Sequence, residues 1–175
     1  MERPGPWAGA ARVPSPSPSC PRDGPAEGPG GREPASFTEA GTDHIRSRPL
    51  ARLATVGPGG QPDVVPAAFE FDGAHVWIGG AASVTRTRRF RDLGDGPGRA
   101  APVVEDLVSP EPFVARGIRL YGRAEQPFER TGMIGPGVFP RVTPALSWSW
   151  NPEGDPVGDE RYPSRRTVHG RPGAG

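Results

Sequence analysis

Four arginines lie within six residues in the middle of the chain, a few residues after a pair of glycines. The segment reads Thr85-Arg86-Thr87-Arg88-Arg89-Phe90-Arg91-Asp92. Guanidinium groups bind phosphate through paired, charge-assisted hydrogen bonds, and the first turn of a helix offers unpaired backbone N–H groups. The segment therefore predicts a phosphate-binding site at the start of a helix over residues 83–93. A solvated helix face that turns Phe90 and Leu93 to the core would explain the same residues, and the sequence leaves that alternative open.

Residues suited to other chemistry are scarce. The three histidines, His44, His75 and His169, do not have the spacing of metal ligands, so we expect no metal site. Cys20 is the only cysteine, which excludes an intramolecular disulfide and a thiolate-bound metal within this sequence. The sequence contains no lysine, which excludes a Walker-type phosphate loop and a lysine Schiff base. No catalytic residue is identified.

Charge and composition restrict the class of protein. The 175 residues carry a net charge of +1, which gives no reason to expect nucleic acid or a membrane surface as a partner. Glycine and proline are most frequent near the start, so we expect a disordered arm over residues 1–35, a folded domain over 36–151 and an irregular tail over 152–175. Without a secretory signal or an apolar run of membrane-spanning length, a cytoplasmic protein is expected.

Between the arm and the tail, apolar residues mostly recur with a period of two, which is typical of β-strands. A short helix is predicted from a cap at Ser36 or Thr38 to about Arg48. Strands are predicted at Leu50–Val56, Pro62–Phe71, Ala74–Ile78, Ala100–Leu107, Arg116–Gln126 and Arg141–Asn151, with loops at Ser109–Phe113 and Gly132–Gly137. Closely spaced strands with few helices predict a mainly β barrel or sandwich.

The last predicted strand carries the heaviest aromatic residues. Val142, Leu146, Trp148 and Trp150 occupy even positions, and small polar residues alternate with them over much of the strand. Within this pattern, Leu146, Trp148 and Trp150 form an apolar stripe of period two on one face of the strand. Such a stripe belongs to the core or a dimer interface, or it forms the wall of a ligand pocket.

Several motifs, taken in order, resemble one family. They are Leu50-Ala51-Arg52-Leu53-Ala54-Thr55-Val56-Gly57, Trp77-Ile78-Gly79-Gly80, Arg88-Arg89-Phe90-Arg91-Asp92, Ser147-Trp148-Ser149-Trp150-Asn151 and Arg165-Arg166-Thr167-Val168-His169. The chain thereby resembles the pyridoxamine 5′-phosphate oxidase-like proteins, in the subgroup that uses the deazaflavin coenzyme F-420 and includes the reductase of tetracycline biosynthesis. The resemblance covers about residues 36–170.

The resemblance implies a six-stranded split β-barrel that forms a homodimer with two cofactor sites at the interface. It also implies hydride transfer from reduced F-420 to an activated double bond of a small molecule. The family's phosphate-binding pattern falls on Thr87, Arg89 and Arg91, and Arg88 lies within the same segment. Segments that line the cofactor ring in relatives match Thr55, Val56, Gly57, Val65 and Pro66, while Trp148 and Trp150 would lie near the pocket or the interface.

Two alternatives share the same fold. An FMN-dependent oxidoreductase would need a similar phosphate site, because FMN is also planar with a phosphate tail. A non-catalytic flavin- or deazaflavin-binding protein is suggested by residues 94–102, where glycines and prolines replace a more regular helix end and strand start.

Overall fold

The computed structural model describes residues 37–94, 98–125, 127–156 and 162–170. The predicted disordered arm over residues 1–35, and part of the Gly/Pro-rich stretch 94–102, lie outside the described residues. None of the described helices has the length and apolar character needed to cross a membrane.

The described residues form two α-helices, one 3-10 helix and nine strands. The helices are α1 (Glu39–Arg46), the 3-10 helix Ala82–Arg86 and α2 (Arg88–Gly94). The strands are β1 (Leu50–Val56), β2 (Pro62–Phe71), β3 (Val76–Ile78), β4 (Arg99–Pro110), β5 (Phe113–Ala124), β6 (Phe128–Gly132), β7 (Gly135–Phe139), β8 (Arg141–Trp150) and β9 (Ser164–Val168).

Six of the strands close into a barrel. Their order is β3-β2-β1-β4-β5-β8, and β8 pairs back with β3 to complete the ring. The pairings within this ring are antiparallel. The hairpin β6–β7 forms a separate two-stranded sheet. The structure therefore confirms the predicted mainly β, six-stranded split barrel.

The barrel interior is filled by apolar side chains from every strand of the ring. The largest that are fully buried include Leu53, Val76, Val104, Ile118, Leu120 and Val142. Helix α1 adds Ile45 to the same cluster. As predicted, a cap at Thr38 begins this helix, and its hydroxyl accepts a hydrogen bond of 3.1 Å from the Gly41 N–H.

The predicted helix over residues 83–93 is interrupted at Thr87. Its backbone is extended there (φ −77°, ψ 152°). The Thr87 hydroxyl donates to the carbonyl of Val84 at 2.6 Å, and the Thr87 N–H donates to the same carbonyl at 2.9 Å. Because this turn closes on Val84, a short 3-10 helix ends at residue 86 and a separate α-helix begins at residue 88.

The predicted loop Gly132–Gly137 is instead the turn and second strand of the hairpin β6–β7. Phe128 pairs with Phe139, and Gly132 pairs with Gly135. Gly135 has φ of +96°, which glycine adopts without strain, so the chain can reverse there. The glycines hide the alternation of the flanking strands, which is why the sequence pattern indicates a loop here.

The other boundaries differ in smaller ways. Strands β1 and β2 have the predicted limits. β4 continues through Pro102, which pairs with Leu53 of β1, and extends to Pro110. The predicted loop at Ser109–Phe113 therefore shrinks to a tight connection. The tail over residues 152–175 is predicted to be irregular, whereas its residues Ser164–Val168 form β9, which pairs with β8.

A β-bulge interrupts β8. Tyr121 of β5 pairs with Leu146, but the next residue, Gly122, pairs with Pro144. Ala145 is therefore an extra residue in β8. A bulge of this kind reverses which face of the sheet the following side chains occupy.

The bulge places the predicted apolar stripe on the outer face of β8. Val142, before the bulge, is fully buried in the core. After the bulge, Ser147 faces the core, and Leu146, Trp148 and Trp150 are partly buried on the opposite face. The three stripe residues therefore share one face, as predicted, but that face lies outside the barrel core.

Candidate functional site

The arginine-rich segment lies beside an open edge of β2. β3 pairs with β2 only at Phe69–Phe71, so the earlier residues of β2 have β1 on one side alone. Arg88 donates to the carbonyl of Gln61 at 3.4 Å, and Arg89 donates to the carbonyl of Pro66 at 3.4 Å. The structure thus brings the predicted phosphate-binding residues and the predicted ring-lining segment of β2 together.

Arg89 has unused hydrogen-bonding capacity. Its Nε is buried and has no hydrogen-bond partner among the described residues. A buried cationic donor without a partner is unfavourable, and it is normally satisfied by an anion or water. Arg88 and Arg91 are exposed on the same short helix. The donor set therefore fits a phosphate group, which accepts several guanidinium hydrogen bonds at once.

A buried carboxylate fixes the position of α2 on the barrel. The Asp92 carboxylate accepts a hydrogen bond of 3.0 Å from the Thr55 hydroxyl on β1, and both side chains are buried. Arg88 Nε lies 3.7 Å from the same carboxylate. Asp92 belongs to one of the sequence motifs, but no role is predicted for it. Its position four residues after Arg88 is the sequence feature that indicates an ion pair between neighbouring turns of a helix.

Close packing at the end of β1 requires glycine. A Cβ atom on Gly57 would lie 2.6 Å from Oδ1 of Asp92. The absence of a side chain at Gly57 therefore allows α2 to approach the strand. The Thr55 hydroxyl already donates to Asp92 and is buried. A ligand at the end of β1 would therefore contact the backbone of the strand or the half-buried Val56.

The remaining predicted site residues have different environments. Val65 lies opposite Leu53, a core residue, whereas Pro66 is exposed and lies opposite Arg52. Thr87 is half-buried, and its carbonyl accepts the Arg91 N–H at 3.3 Å in the first turn of α2. Helix α2 has only seven residues, so its dipole contributes little to phosphate binding. The positive charge of the predicted site comes from the arginine side chains.

The two tryptophans do not join the arginine segment within one chain. They lie in the part of β8 that pairs with β9, where Trp148 is opposite Arg166 and Trp150 is opposite Ser164. A Cβ atom on Gly117 of β5 would lie 2.3 Å from the Trp150 ring, so this ring packs directly on the β5 backbone. Together with Leu146 and Val168, they form an apolar outer patch, in which Val168 is 53% exposed.

No family model matches the chain. The chain is similar to a 5a,11a-dehydrotetracycline/5a,11a-dehydrooxytetracycline reductase of Streptomyces rimosus. It is 31% identical over 133 residues, which are 68% of this chain and 86% of the relative.

Solved structures support the fold. A conserved hypothetical protein from Mycobacterium tuberculosis superposes with a TM-score of 0.53 at 21% identity, over 74% of this chain and 96% of that chain. HupZ from Group A Streptococcus superposes with a TM-score of 0.51 at 20% identity, over 70% of this chain and 99% of that chain.

Proposed function

The chain belongs to the pyridoxamine 5′-phosphate oxidase-like family of oxidoreductases that includes the Streptomyces dehydrotetracycline reductase, and we propose that it is a reductase dependent on the deazaflavin coenzyme F-420. In this proposal a hydride passes from the reduced coenzyme to an activated carbon–carbon double bond, and a proton from solvent completes the reduction. The name of the relative suggests the acceptor class: a polycyclic compound with a double bond conjugated to a carbonyl, as in a dehydrotetracycline.

The observation that carries the proposal is the unpartnered, buried Nε of Arg89 at the open edge of β2. A phosphate group there would accept from Arg89 and from its exposed neighbours Arg88 and Arg91. Arginine presents a rigid fork of donors, which matches the oxygen atoms of a phosphate group. The Thr55–Asp92 hydrogen bond holds α2, and with it all three arginines, against the end of β1.

The protein's own task in this reaction is binding and orientation. When bound, the reduced deazaflavin supplies the hydride, which is chemistry that no side chain provides. Arg88 and Arg89 would bind the phosphate group of the coenzyme. Their hydrogen bonds to the Gln61 and Pro66 carbonyls already hold both side chains beside β2. Val56, Val65 and Pro66 would offer an apolar edge to the ring.

A homodimer is part of the same proposal. Leu146, Trp148, Trp150 and Val168 form the apolar outer patch on β8 and β9, and apolar patches of this kind mark association surfaces. Within one chain, Trp148 and Trp150 are only half-buried, so they keep apolar surface that a second copy can cover.

The test is a titration of F-420 with the full-length protein, followed by fluorescence anisotropy. We expect saturable binding, and we expect Arg89→Ala to weaken it about tenfold or more, because a charge-assisted hydrogen bond contributes about 1.5–3 kcal/mol. Arg46→Ala is the matched control, since Arg46 is exposed in the last turn of α1.

Competition with FMN separates the two cofactors. If the deazaflavin is the cofactor, FMN should not displace it at comparable concentrations. Tight FMN binding without F-420 binding would contradict the proposal and assign an FMN-dependent enzyme. An unchanged affinity in Arg89→Ala would contradict the assignment of the phosphate site.

A further inference from the structure

A cavity of about 350 Å³ lies beside β1 and reaches Pro66 of β2. The polar side chains on its wall are Arg48, Arg52 and Glu105, and the rest of the wall is apolar. Its volume falls in the range of about 300–1,000 Å³ that is typical of small-molecule sites. The cavity is therefore large enough to hold one end of an organic ligand.

The cavity adjoins the site proposed for the cofactor. Pro66 lines it, and the carbonyl of the same residue accepts the hydrogen bond from Arg89. Pro66 lies opposite Arg52 in the β1–β2 ladder, and Arg52 lies opposite Val103 of β4, so these residues form one row across the sheet. A molecule in the cavity would therefore lie beside a coenzyme that contacts Arg89 and Pro66.

Arg48 is a side chain on this wall with unused hydrogen-bonding capacity. Its Nη2 contacts the Asp106 carboxylate, and its Nε is buried without a partner among the described residues. The same carboxylate accepts a hydrogen bond of 3.2 Å from Arg116 Nη2. Two guanidinium groups thus share one carboxylate, which leaves a positive charge that an anionic ligand atom can balance. The Arg48 side chain is 34% exposed, so a ligand in the cavity can reach it.

The other two charges on the wall cancel each other. Arg52 Nε contacts the Glu105 carboxylate, and together the two side chains add no net charge. The apolar part of the wall includes Leu50, which is 57% exposed, the exposed Pro66 and the half-buried Val103. A single surplus guanidinium beside an apolar surface suits a conjugated carbonyl compound.

Reduction of a conjugated carbonyl compound places negative charge on one oxygen atom. Hydride addition to the β-carbon moves the π electrons of the double bond toward the carbonyl oxygen, which becomes an enolate oxygen. A proton from solvent then adds to the α-carbon and completes the reduction. A cationic donor held beside that oxygen stabilises the charge as it develops.

We propose that this cavity binds the carbonyl end of the acceptor substrate, with the carbonyl oxygen at Arg48 and the apolar body against Leu50 and Val103. The inference rests on the proposed reductase function, because it locates the second substrate of that reaction. Arg48 would hold the carbonyl oxygen and stabilise the enolate that hydride addition produces.

The binding test is isothermal titration of the full-length protein with 2-hydroxy-1,4-naphthoquinone, whose ionised form is a planar enolate at neutral pH. The neutral 2-methoxy-1,4-naphthoquinone is its counterpart, and we expect it to bind at least tenfold more weakly. Arg48→Gln should weaken enolate binding about tenfold, because a charge-assisted hydrogen bond is lost. Arg46→Gln removes an equal charge from an exposed position outside the cavity and should leave the affinity unchanged.

A second pair of variants keeps Arg48 in place. Leu50→Glu adds a carboxylate at an exposed position on the wall, so it should also weaken enolate binding, while circular dichroism confirms that the fold is retained. Phe113→Glu makes a similar change outside the cavity, at a side chain that is 62% exposed, and should have no effect.

Three results would overturn the proposal. They are equal binding of the two naphthoquinones, equal losses in Arg48→Gln and Arg46→Gln, and no saturable binding by the folded protein. If Arg48→Gln does not fold, the comparison of Leu50→Glu with Phe113→Glu decides in its place, and equal affinities in that pair would also overturn the proposal.

Titration in the presence of saturating oxidised F-420 tests the position beside the coenzyme. We expect 2-hydroxy-1,4-naphthoquinone and F-420 to bind at the same time. Displacement would overturn the assignment to the acceptor, because the coenzyme itself would then occupy the cavity. If F-420 fails to bind at all, the proposed function fails, but the dependence of enolate binding on Arg48 still decides whether the cavity is an enolate site.

Discussion

The Thr55 hydroxyl on β1 donates a hydrogen bond of 3.0 Å to the Asp92 carboxylate on α2, in surroundings where both side chains are buried. This contact connects the barrel wall to the helix that carries the arginines. Since α2 has only seven residues, its position depends on such contacts with the barrel more than on its own helical stability.

Substitution of Gly57 tests this connection. The added Cβ in Gly57→Ala would lie 2.6 Å from Asp92 Oδ1 and force the carboxylate or the helix to move. We expect a loss of about 1–3 kcal/mol in the free energy of unfolding, as for other overpacked sites. We also expect weaker F-420 binding, because the arginines move with α2.

Gly59→Ala in the same turn is the control. A Cβ at Gly59 meets no atom within 4 Å, so this variant should keep both its stability and its cofactor affinity. Denaturant unfolding of both variants measures the difference. If the two variants behave alike, Gly57 has no special role in seating α2.

The buried His44 predicts a pH-dependent stability. Burial lowers its pKa from the ordinary 6.5, and the nearby Arg116 and Arg48 lower it further. A hydrogen bond with the Val104 carbonyl and the charge of Asp106 act in the opposite direction but are outweighed. The unfolded chain therefore takes up this proton more readily than the folded chain, and protonation favours unfolding.

The free energy of unfolding should consequently fall as the pH drops below 6.5. His44→Gln keeps a donor for the Val104 carbonyl but cannot titrate. Its stability should change less between two pH values on either side of 6.5. Denaturant unfolding of both proteins at each pH provides the comparison, and equal changes would show that other groups cause the pH dependence.

The proposed homodimer can be tested at the apolar outer patch. Val168→Glu places a charge on β9 opposite Leu146, at a side chain that is 53% exposed, so the folded monomer should tolerate it. We expect the dissociation constant of the dimer to rise about tenfold or more, as measured by sedimentation. Met133→Glu is the control, because Met133 is 58% exposed at the tip of the β6–β7 hairpin.

A purely monomeric wild-type protein would contradict the dimer. Equal weakening by both variants would show that the patch is not the interface, since Met133 lies outside it.

Where alternation was regular, the sequence predicted the fold closely. β1 and β2 have the predicted limits because turn residues bound each alternating run. The prediction was wrong for the helix over residues 83–93, because the Thr87 hydroxyl closes a turn on Val84. It missed the β6–β7 hairpin because glycines replace the side chains that would show alternation.

The site was less predictable than the fold. The arginine segment was recognised from residue types, but its contact with β2 depends on where β3 stops pairing. The outer position of the tryptophans results from one extra residue at Ala145, and no local pattern marks it.

The most direct test of the proposed function is the transfer of an isotopically labelled hydride. Reduced F-420 with deuterium at both hydrogen positions of its hydride-donating carbon would be mixed with the full-length protein and a conjugated polycyclic acceptor of the class proposed above. The proposal predicts a product that contains one deuterium per molecule and an equal amount of oxidised coenzyme. A product without deuterium, or bound coenzyme that reduces no such acceptor, would contradict it.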